Sequence, residues 1–524
     1  MARVSKKRTI IQWIALAAAI TAVILIATLW VISRSYRPAA LKDKIVALLS
    51  DQLESEVTLD SLEGSFFPRI ALSGGGLVVR HKGRTDVPPL LTIEHFEIRA
   101  SLRALMHRPR HVSEVRLSGL QVHIPPSDDS ADDSTDEPVE EGSAQDELRH
   151  ITIDRFEAPD TVLTLIPRKP HKPPKVFTIH HLVMENVGRG HIIPYLAVLT
   201  NPVPQGQIEA SGRFGPWNLA HPASTPVSGK YTFANADLDT IDGLAGILSS
   251  EGTFDGPLKR IHVRGTTDTP KFQVDAGGQP VPLKTEFDAI VDGSDGDTIL
   301  QQVNATFLNT ALTAKGAVIG LEGVPGRRVE VDVHVSKGRI EDLLRLAMDS
   351  PKPLLRGDVR FDANLIIPPQ KAKVMDKMVL HGTFGLTKAK FTDASVQTKI
   401  ADLSRHGRGL NNDESPGEVV SNLQGKFVLQ NAAATFPQLA FSVPGAQVEL
   451  AGQYGLRSQQ VDFHGKLKLD APLSKAAGVG GVKSFFLKAV DPFFRKDGSG
   501  TVLPIKITGN RKDPKFGLEL FGKK

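Results

Sequence analysis

The stretch that decides the fold runs from Val461 to Asp470 and reads V-D-F-H-G-K-L-K-L-D. Val461, Phe463, Leu467 and Leu469 alternate with polar or charged residues. Successive side chains of a strand point to opposite faces, so this pattern predicts a strand with one apolar face and one charged face. The same alternation recurs at 329–335, which reads V-E-V-D-V-H-V.

A shorter signature repeats along the chain: a glycine with apolar residues two and four positions later. It begins at Gly229, Gly357, Gly382, Gly425 and Gly465. Strand patterns running almost from end to end predict a mainly β protein rather than several compact cores. Such a chain needs a cover for its apolar face.

Composition excludes several classes of protein. The net charge is +5, but the basic residues are scattered and there are only four tyrosines and three tryptophans, which argues against a nucleic-acid-binding surface. The chain has no cysteine, which excludes disulfides, thiolate metal sites, cysteine nucleophiles and a lipidated cysteine. No hydrolase, zinc-protease or P-loop motif occurs, so we expect no enzyme activity and no cofactor.

Residues 10–32 form a run of apolar residues with Trp13 and Trp30 near its ends. The length and the terminal indoles predict a single transmembrane helix after a cytoplasmic tail at 1–9. A cleaved signal peptide is the alternative, but the run is longer than a usual signal core and no convincing small-residue cleavage site follows it. Basic residues flank both sides; the short basic tail favours a cytoplasmic N-terminus and a translocated remainder.

After the anchor, Pro38 opens a predicted amphipathic helix, and short strands begin at Val57. The segment 127–147 carries ten acidic residues and no basic or aromatic ones, which predicts a disordered loop. Calcium binding is the alternative use of this segment, although the spacing of an EF-hand loop is absent. His107 and His111 have helical metal-site spacing, but Pro109 between them argues against a metal site.

Two internal repeats are present. The frame apolar-Thr-Ile-x-x-apolar starts at Leu91, Ile151 and Phe177, and a β-bulge would explain its change of apolar parity. A longer match relates 257–274 to 504–518 and predicts two copies of one strand-turn-strand unit. We also predict short helices at 340–348 and 473–490.

These features together resemble a known family. The lone N-terminal anchor, the segments L-T-I-E-H-F-E-I-R at 91–99 and V-R-L-S-G-L-Q-V-H-I at 115–124, and the ending F-H-G-K-L-K-L-D-A-P-L followed by L-P-I-K-I-T-G-N-R-K-D-P-K-F are similar to the AsmA-like family of bacterial envelope proteins. The resemblance is firmest over 1–124 and 461–520. It departs from a typical long member in its short length and its acidic segment.

The resemblance implies an elongated, curved antiparallel β-sheet that forms an open apolar groove, as in the repeating-β-groove, bridge-like lipid transfer proteins. It implies a single-pass inner-membrane protein with most of the chain in the periplasm and phospholipids as partners. The implied role is moving phospholipid toward the outer membrane, with a partner protein expected at the far end. The implied organisation comprises a tail at 1–9, an anchor at 10–32, a chorein-like cap and first strands at 33–126, an acidic loop at 127–147, groove strands at 148–460 and a C-terminal region at 461–524.

The predicted groove lining takes one apolar face of many strands: Ile93, Val115, Leu117, Ile153, Ile179, Val329, Val331, Val333, Val335, Phe384, Leu386, Phe427, Leu429, Phe463, Leu467 and Leu469. For each one, the alternative is an ordinary core residue covered by protein. Arg103, Arg108 and Arg110 are candidates for contact with anionic headgroups, with a basic turn as the alternative.

Two other functions are weighed against lipid transport. A structural assembly factor would pair a free sheet edge with a strand of an outer-membrane barrel protein. An anchored hydrolase would need convergent carboxylates or a serine with a base, and the sequence offers neither.

Overall fold

The computed structural model describes residues 42–43, 45–47, 49–50, 55–65, 70–81, 88–101, 103–104, 110–124, 151–165, 175–188, 190–217, 222–274, 278–293, 296–321, 324, 326–348, 352–370, 372–410, 417–471, 501–510 and 513–518. The predicted anchor at 10–32, the acidic segment at 127–147 and the predicted helix at 473–490 lie outside them. Within the described ranges, none of the helices has both the length and the hydropathy needed to span a membrane.

The described chain is mainly β, with 26 strands in a mixed sheet. In chain order they are β1 Ser55–Thr58, β2 Ser61–Ser65, β3 Ile70–His81, β4 Leu91–Ala100, β5 Arg110–Ile124, β6 Ile151–Glu157, β7 Thr161–Leu165, β8 Lys175–Gly188, β9 Ile193–Pro202, β10 Gln205–Phe214, β11 Pro226–Asp237, β12 Leu244–Ala245 and β13 Ile247–Pro257. They continue as β14 Ile261–Val274, β15 Val281–Val291, β16 Thr298–Phe307, β17 Thr310–Gly320, β18 Arg327–Arg339, β19 Leu355–Ile367, β20 Val379–Phe391, β21 Ser421–Gln430, β22 Ala433–Val443, β23 Ala446–Gly455, β24 Gln460–Leu469, β25 Thr501–Asn510 and β26 Asp513–Leu518.

Three α-helices have described bounds: α1 Ile340–Ala347, α2 Val374–Lys377 and α3 Ala394–Arg408. Short 3-10 turns occupy Pro222–Ser224, Leu238–Thr240 and Leu258–Arg260. Helix α1 confirms the helix predicted at 340–348. Helices α2 and α3 were not predicted from the sequence.

The chain divides into two compact units. The first unit comprises Met1–Asp237, Leu248–Gly265 and Ile290–Gly296. The second unit comprises Leu238–Ile247, Thr266–Ala289 and Asp297–Lys524.

The first unit has a closed apolar core at its N-terminal end. The described residues between 42 and 50 are helical, and Ile45 and Leu49 are fully buried in this core beside residues of β1 to β8. Their spacing places both side chains on one face of the helix. The predicted amphipathic helix therefore packs on protein in this part of the structure.

The expectation of a purely antiparallel sheet is wrong at β5, which pairs parallel with both β6 and β7. Strand β8 then pairs antiparallel with the same two strands. A parallel neighbour requires a long return connection rather than a tight hairpin. Residues 125–150, which join β5 to β6 and include the acidic segment, are long enough to provide it.

The β-bulge predicted in the Leu91 frame is absent, although the burial pattern does change parity there. Ile93 and Phe96 are both buried while Glu94 and His95 between them are exposed. The pairings of β4 with β3 and with β5 both skip Glu94 and resume in the same register, so no extra residue is inserted there. In the Phe177 frame the predicted bulge is present, as a register shift between Ile179 and His181.

Strand β3 continues without a break through Gly74, Gly75 and Gly76. A side chain at Gly74 would lie 2.5 Å from Phe96 Cζ, so the glycine provides room for this buried ring. In the long repeat, β25 and β26 form the predicted hairpin, but the matching region is the single strand β14. Its connecting residues are Thr-Thr-Asp-Thr, which favour an extended chain, whereas the later copy has Asn-Arg-Lys-Asp.

The second unit contains an antiparallel meander in which each strand from β16 to β26 pairs with the next one. Tight connections join pairs such as β21 and β22 or β22 and β23, which favours antiparallel neighbours, whereas longer connections that contain α1 and α3 follow β18 and β20. Because each register is fixed, residues of one parity form continuous rows across neighbouring strands.

Candidate functional site

One face of the second unit is apolar along its meander, and we call it the apolar face. Val331 faces Leu365 across β18 and β19, and Leu380 faces Leu429 across β20 and β21. At the other end, Phe463 faces Ile507 across β24 and β25. The registers thus place side chains from strands far apart in sequence in common rows.

Much of this face is partly exposed. The side chains of Val329, Val331, Val333, Phe384, Leu429 and Phe463 are all of intermediate burial, whereas Val335, Leu386, Phe427, Leu467 and Leu469 are buried. In a two-layer core, central residues of this kind are normally fully buried. The described part of the second unit therefore leaves accessible hydrocarbon on this face.

The predicted lining residues in the first unit have a different environment. Ile93, Val115, Leu117, Ile153 and Ile179 are at most 8% exposed and belong to the core that contains Ile45 and Leu49. They are packed against protein. The predicted lining residues therefore have two environments: those of the first unit are in its core, and those of the second unit are on the apolar face.

Helix α1 covers part of the apolar face. Its residues Ile340 and Leu343 pack against the cluster of Val359, Leu386 and Ala389. Asp342, 3% exposed, holds the helix in place: its carboxylate accepts hydrogen bonds from the Asn309 backbone N–H and the Thr310 hydroxyl, both at 2.9 Å. This attachment fixes α1 to the turn between β16 and β17.

Helix α3 covers a second part, through Ile400, Ala401 and Leu403, which pack against a cluster that includes Leu467 and Leu469. The Asp393 carboxylate caps its N-terminus by accepting hydrogen bonds from the Ser395 hydroxyl and from backbone N–H groups, and these bonds lower the pKa of Asp393. The helix runs from Ala394 to Arg408, and the cap explains where it begins.

Two glycines determine how the C-terminal end of α3 packs and where the helix ends. A side chain at Gly407 would lie 2.3 Å from the Gly445 carbonyl oxygen, so the helix approaches the turn between β22 and β23 as closely as backbone allows. Gly409 ends the helix in the left-handed conformation, with φ of 68°. The Gly-x-Gly pair at 407–409 therefore has a packing role.

Aromatic rings form a contiguous group on the part of the apolar face that remains partly exposed. Ring centroids lie 5.7 Å apart for Phe361 and Phe427, 6.2 Å for Phe384 and Phe427, 6.4 Å for Phe384 and Phe436, and 5.8 Å for Phe436 and Phe463. These separations are typical of favourable aromatic pairs. Five rings from β19, β20, β21, β22 and β24 are thus in continuous contact.

Glycines make this arrangement fit. Gly452 faces both Phe436 and Phe463, and a side chain there would lie 2.8 Å from Phe463 Cδ1. Gly425 faces Phe384, and a side chain there would lie 3.2 Å from Phe384 Cε1. Gly382 faces Phe427. Gly425 and Gly452 leave space that a ring from a neighbouring strand occupies, whereas a side chain at Gly382 would meet the Asp362 carbonyl oxygen and Ala363.

The same device occurs in the first unit, where β11 pairs with β13. A side chain at Gly229 would lie 2.8 Å from Phe254 Cζ, and one at Gly252 would lie 3.0 Å from Tyr231 Cε1. The burial of Tyr231 raises the pKa of its phenol, and the hydrogen bond between the Tyr231 and Ser250 hydroxyls partly opposes this shift. Two of the signature glycines, Gly229 in the first unit and Gly425 in the second, thus leave room for a ring of a neighbouring strand.

The opposite face of the meander is polar and contains a cavity of about 730 Å³. Asn364 Nδ2 donates to Asp332 Oδ1 at 2.8 Å, and His334 is hydrogen-bonded to Asp362. On the same face, Lys468 Nζ lies 2.7 Å from Glu449 Oε1. Exposed pairs of this kind keep a face hydrated and add little stability. Within the ranges that the structure describes, no group of three potential ligands could hold a metal ion.

Two of the three candidate headgroup residues lie within the described ranges. Arg103 is exposed and Arg110 is half-buried at the start of β5, and both have interaction partners. Arg108 and His107 lie outside the described residues. His111 Nδ1 is 2.8 Å from Asp154 Oδ1, so its ring already has a protein partner.

Comparison with protein-family models, with curated proteins and with solved structures gives no match for this chain. The apolar face, the two helices that pack on it and its ring contacts are therefore the features from which a function can be inferred.

Sequence reasoning missed the ring contacts and helix α3. The signal for the first was present, because a glycine and the apolar residues two and four positions later share one face of a strand. The signal for the second was Asp393 followed fifteen residues later by Arg408 and then Gly409, a helix-start residue and a helix-stop residue.

Proposed function

We propose that this chain is a non-enzymatic lipid conduit of the AsmA-like type. It is held in the bacterial inner membrane by residues 10–32, and the bulk of the chain lies in the periplasm. Its strands form an elongated, curved groove whose apolar face shields phospholipid acyl chains. In this role it contributes to lipid transport toward the outer membrane and to envelope integrity.

The observation that supports the proposal is the partly exposed apolar face of the second unit. Val331, Phe384 and Leu429 retain accessible surface although their neighbours in every direction along the face are apolar. An apolar surface that continues over many strands is a binding surface rather than an ordinary solvent-exposed one. Its length across strands suits a ligand that is long, apolar and thin.

The energetic need for such a surface is large. A diacyl lipid has roughly thirty methylenes, and exposing them to water costs on the order of 25 kcal/mol at about 0.8 kcal/mol each. A protein surface of valine, leucine and phenylalanine side chains removes most of this cost while the headgroup stays in water. Because the described lining offers no charged side chain on the apolar face, we expect low selectivity among headgroups.

The test compares two variants on opposite faces of β21. Leu429→Asp places a charge on the apolar face, and Gln424→Asp places the same charge on the exposed polar face. The full chain is purified in detergent and its phospholipid content is measured by mass spectrometry after extraction. We expect wild type and Gln424→Asp to carry phospholipid and Leu429→Asp to lose most of it. Absence of phospholipid from the wild-type chain contradicts the proposal.

A second candidate is a structural assembly factor that pairs its sheet edge with a barrel protein. Strand β26 supports this candidate, because among the described strands it pairs only with β25. An unpaired edge is a template for another strand. If this candidate is correct, a crosslinker at Lys515 traps a barrel protein in cells, and any lipid that co-purifies with the chain is incidental.

A further inference from the structure

The five rings and three glycines described above form a surface that we call the ring floor: Phe361, Phe384, Phe427, Phe436 and Phe463 with Gly382, Gly425 and Gly452. The rings of Phe361 and Phe427 come from strands on either side of β20, and those of Phe436 and Phe463 come from strands on either side of β23. Phe436 and Phe463 both face Gly452 of β23. On β20, Phe427 faces Gly382 while Phe361 faces Phe384, whose ring contacts Phe427.

This geometry changes the shape of the sheet surface. In an ordinary sheet the strands lie about 4.8 Å apart, and the side chains of each strand form a ridge along it. At the ring floor, the rings of Phe436 and Phe463 extend over Gly452 between them. Around β20, the rings of Phe361, Phe384 and Phe427 are in contact and fill the corresponding gap. The surface is therefore continuous in the direction that crosses the strands.

The length of the ring floor suits one acyl chain. From β19 to β24 there are five strand spacings, or about 24 Å at about 4.8 Å each. An acyl chain reaches about 15 Å, half of the hydrocarbon thickness of a bilayer. One extended chain therefore fits within the floor lengthwise.

The surroundings favour a thin occupant over a protein layer. Helices α1 and α3 pack on the same face, so they occupy the layer in which a facing sheet would lie. Phe384 and Leu423 contact the cluster under α1, which places this helix directly beside the floor. The floor offers no hydrogen-bond donor or acceptor from its side chains, so only hydrocarbon is complementary to it.

We propose that the ring floor is an acyl-chain track, on which one lipid acyl chain lies extended across strands β19 to β24 rather than along them. The inference rests on the proposed function and adds the location and the direction of the bound chain. The glycines are positioning residues, because they keep the rings low enough for the chain to cross.

The experiment places a photo-crosslinking benzoylphenylalanine in the full chain at Phe361, at Phe463 or at Val461, the partly exposed residue next to Phe463 on the same face of β24, one position at a time. Each protein is loaded with dipalmitoyl phosphatidylethanolamine and irradiated, and fragmentation mass spectrometry locates the modified acyl carbon. Gln424 on the polar face is the control position.

If the chain crosses the strands, the probes at Phe361 and Phe463 modify carbons near opposite ends of the acyl chain, and the probes at Phe463 and Val461 modify neighbouring carbons. The reverse pattern, with Phe463 and Val461 at distant carbons and Phe361 unlabelled, overturns the track while lipid binding stands. No labelling at any apolar position, with no lipid carried by the wild-type chain, contradicts the proposed function itself.

A pair of substitutions gives an independent readout. Phe436→Ser removes a central ring, and we expect the bound dipalmitoyl phosphatidylethanolamine to fall roughly tenfold, equivalent to about 1.4 kcal/mol. Phe436→Leu keeps an apolar side chain and is expected to retain most of it. Circular dichroism of both variants checks that the sheet is intact; equal lipid content in the two variants argues against the track.

Discussion

Gly425 provides the sharpest test of the ring floor as a packing arrangement. An alanine Cβ at this position would lie 2.8 Å from the Gln438 carbonyl oxygen, 3.2 Å from Leu439 Cδ1 and 3.2 Å from Phe384 Cε1. Overpacking of this kind costs about 1–3 kcal/mol. Replacing glycine by alanine also restricts the unfolded chain, which returns about 0.4–1 kcal/mol. We therefore expect Gly425→Ala to destabilise this region by about 0.5–2 kcal/mol.

Gly385 is the matched control, because it lies on neighbouring β20 and a side chain there would meet nothing within 4 Å. For Gly385→Ala only the unfolded-chain effect applies, so we expect a small gain in stability. The assay is native-state hydrogen exchange of the full chain, followed on peptides from β20 to β22, where a tenfold change in protection equals about 1.4 kcal/mol. A loss of the same size in both variants, or a gain at Gly425, would refute the reasoning.

Three further predictions use the same local measurement or its pH dependence. Phe427→Ala removes an 8%-exposed ring that contacts two others and is expected to cost about 3–5 kcal/mol, against about 1–2 kcal/mol for the less buried Phe463→Ala; equal protection losses would contradict this. Asp342→Ala leaves the buried Thr310 hydroxyl and the part-buried Asn309 N–H without this acceptor and is expected to cost about 1–3 kcal/mol in exchange protection of α1, whereas exposed Arg345→Ala is expected to change little. The cap on α3 stabilises the folded state while the Asp393 carboxylate is ionised. The folded pKa of Asp393 lies below the usual 3.8, so this contribution to stability is complete above pH 3.8 and is lost as the pH falls through the lowered pKa. Asp393→Asn should remove the acid sensitivity of α3 exchange.

Much of the local structure could be predicted from the sequence. Strict alternation at 329–335 and 461–469 identified β18 and β24 and the side of each strand that is less exposed. Helix α1 followed from its helical spacing. These features depend on residues close together in sequence, where side-chain periodicity is a direct signal.

Long-range pairing could not be predicted. The parallel partners of β5 lie beyond residues 125–150, and nothing in their own patterns distinguishes a parallel neighbour from an antiparallel one. Likewise, the 263–274 and 507–518 segments match residue by residue in part but fold as one strand and as two. The connecting residues decided this difference.

The sequence alone determined which residues form strands, which face of each strand is apolar and where glycines recur on that face, because a period of two fixes these properties within each strand. Only the tertiary structure decided that Ile93 and its neighbours are sealed in a core with a helix while Phe384 and Phe463 are in a row that remains partly exposed. It also decided that the rings of Phe436 and Phe463 meet above Gly452. Both results depend on register between strands and on where helices pack, and these contacts join residues that no local pattern connects.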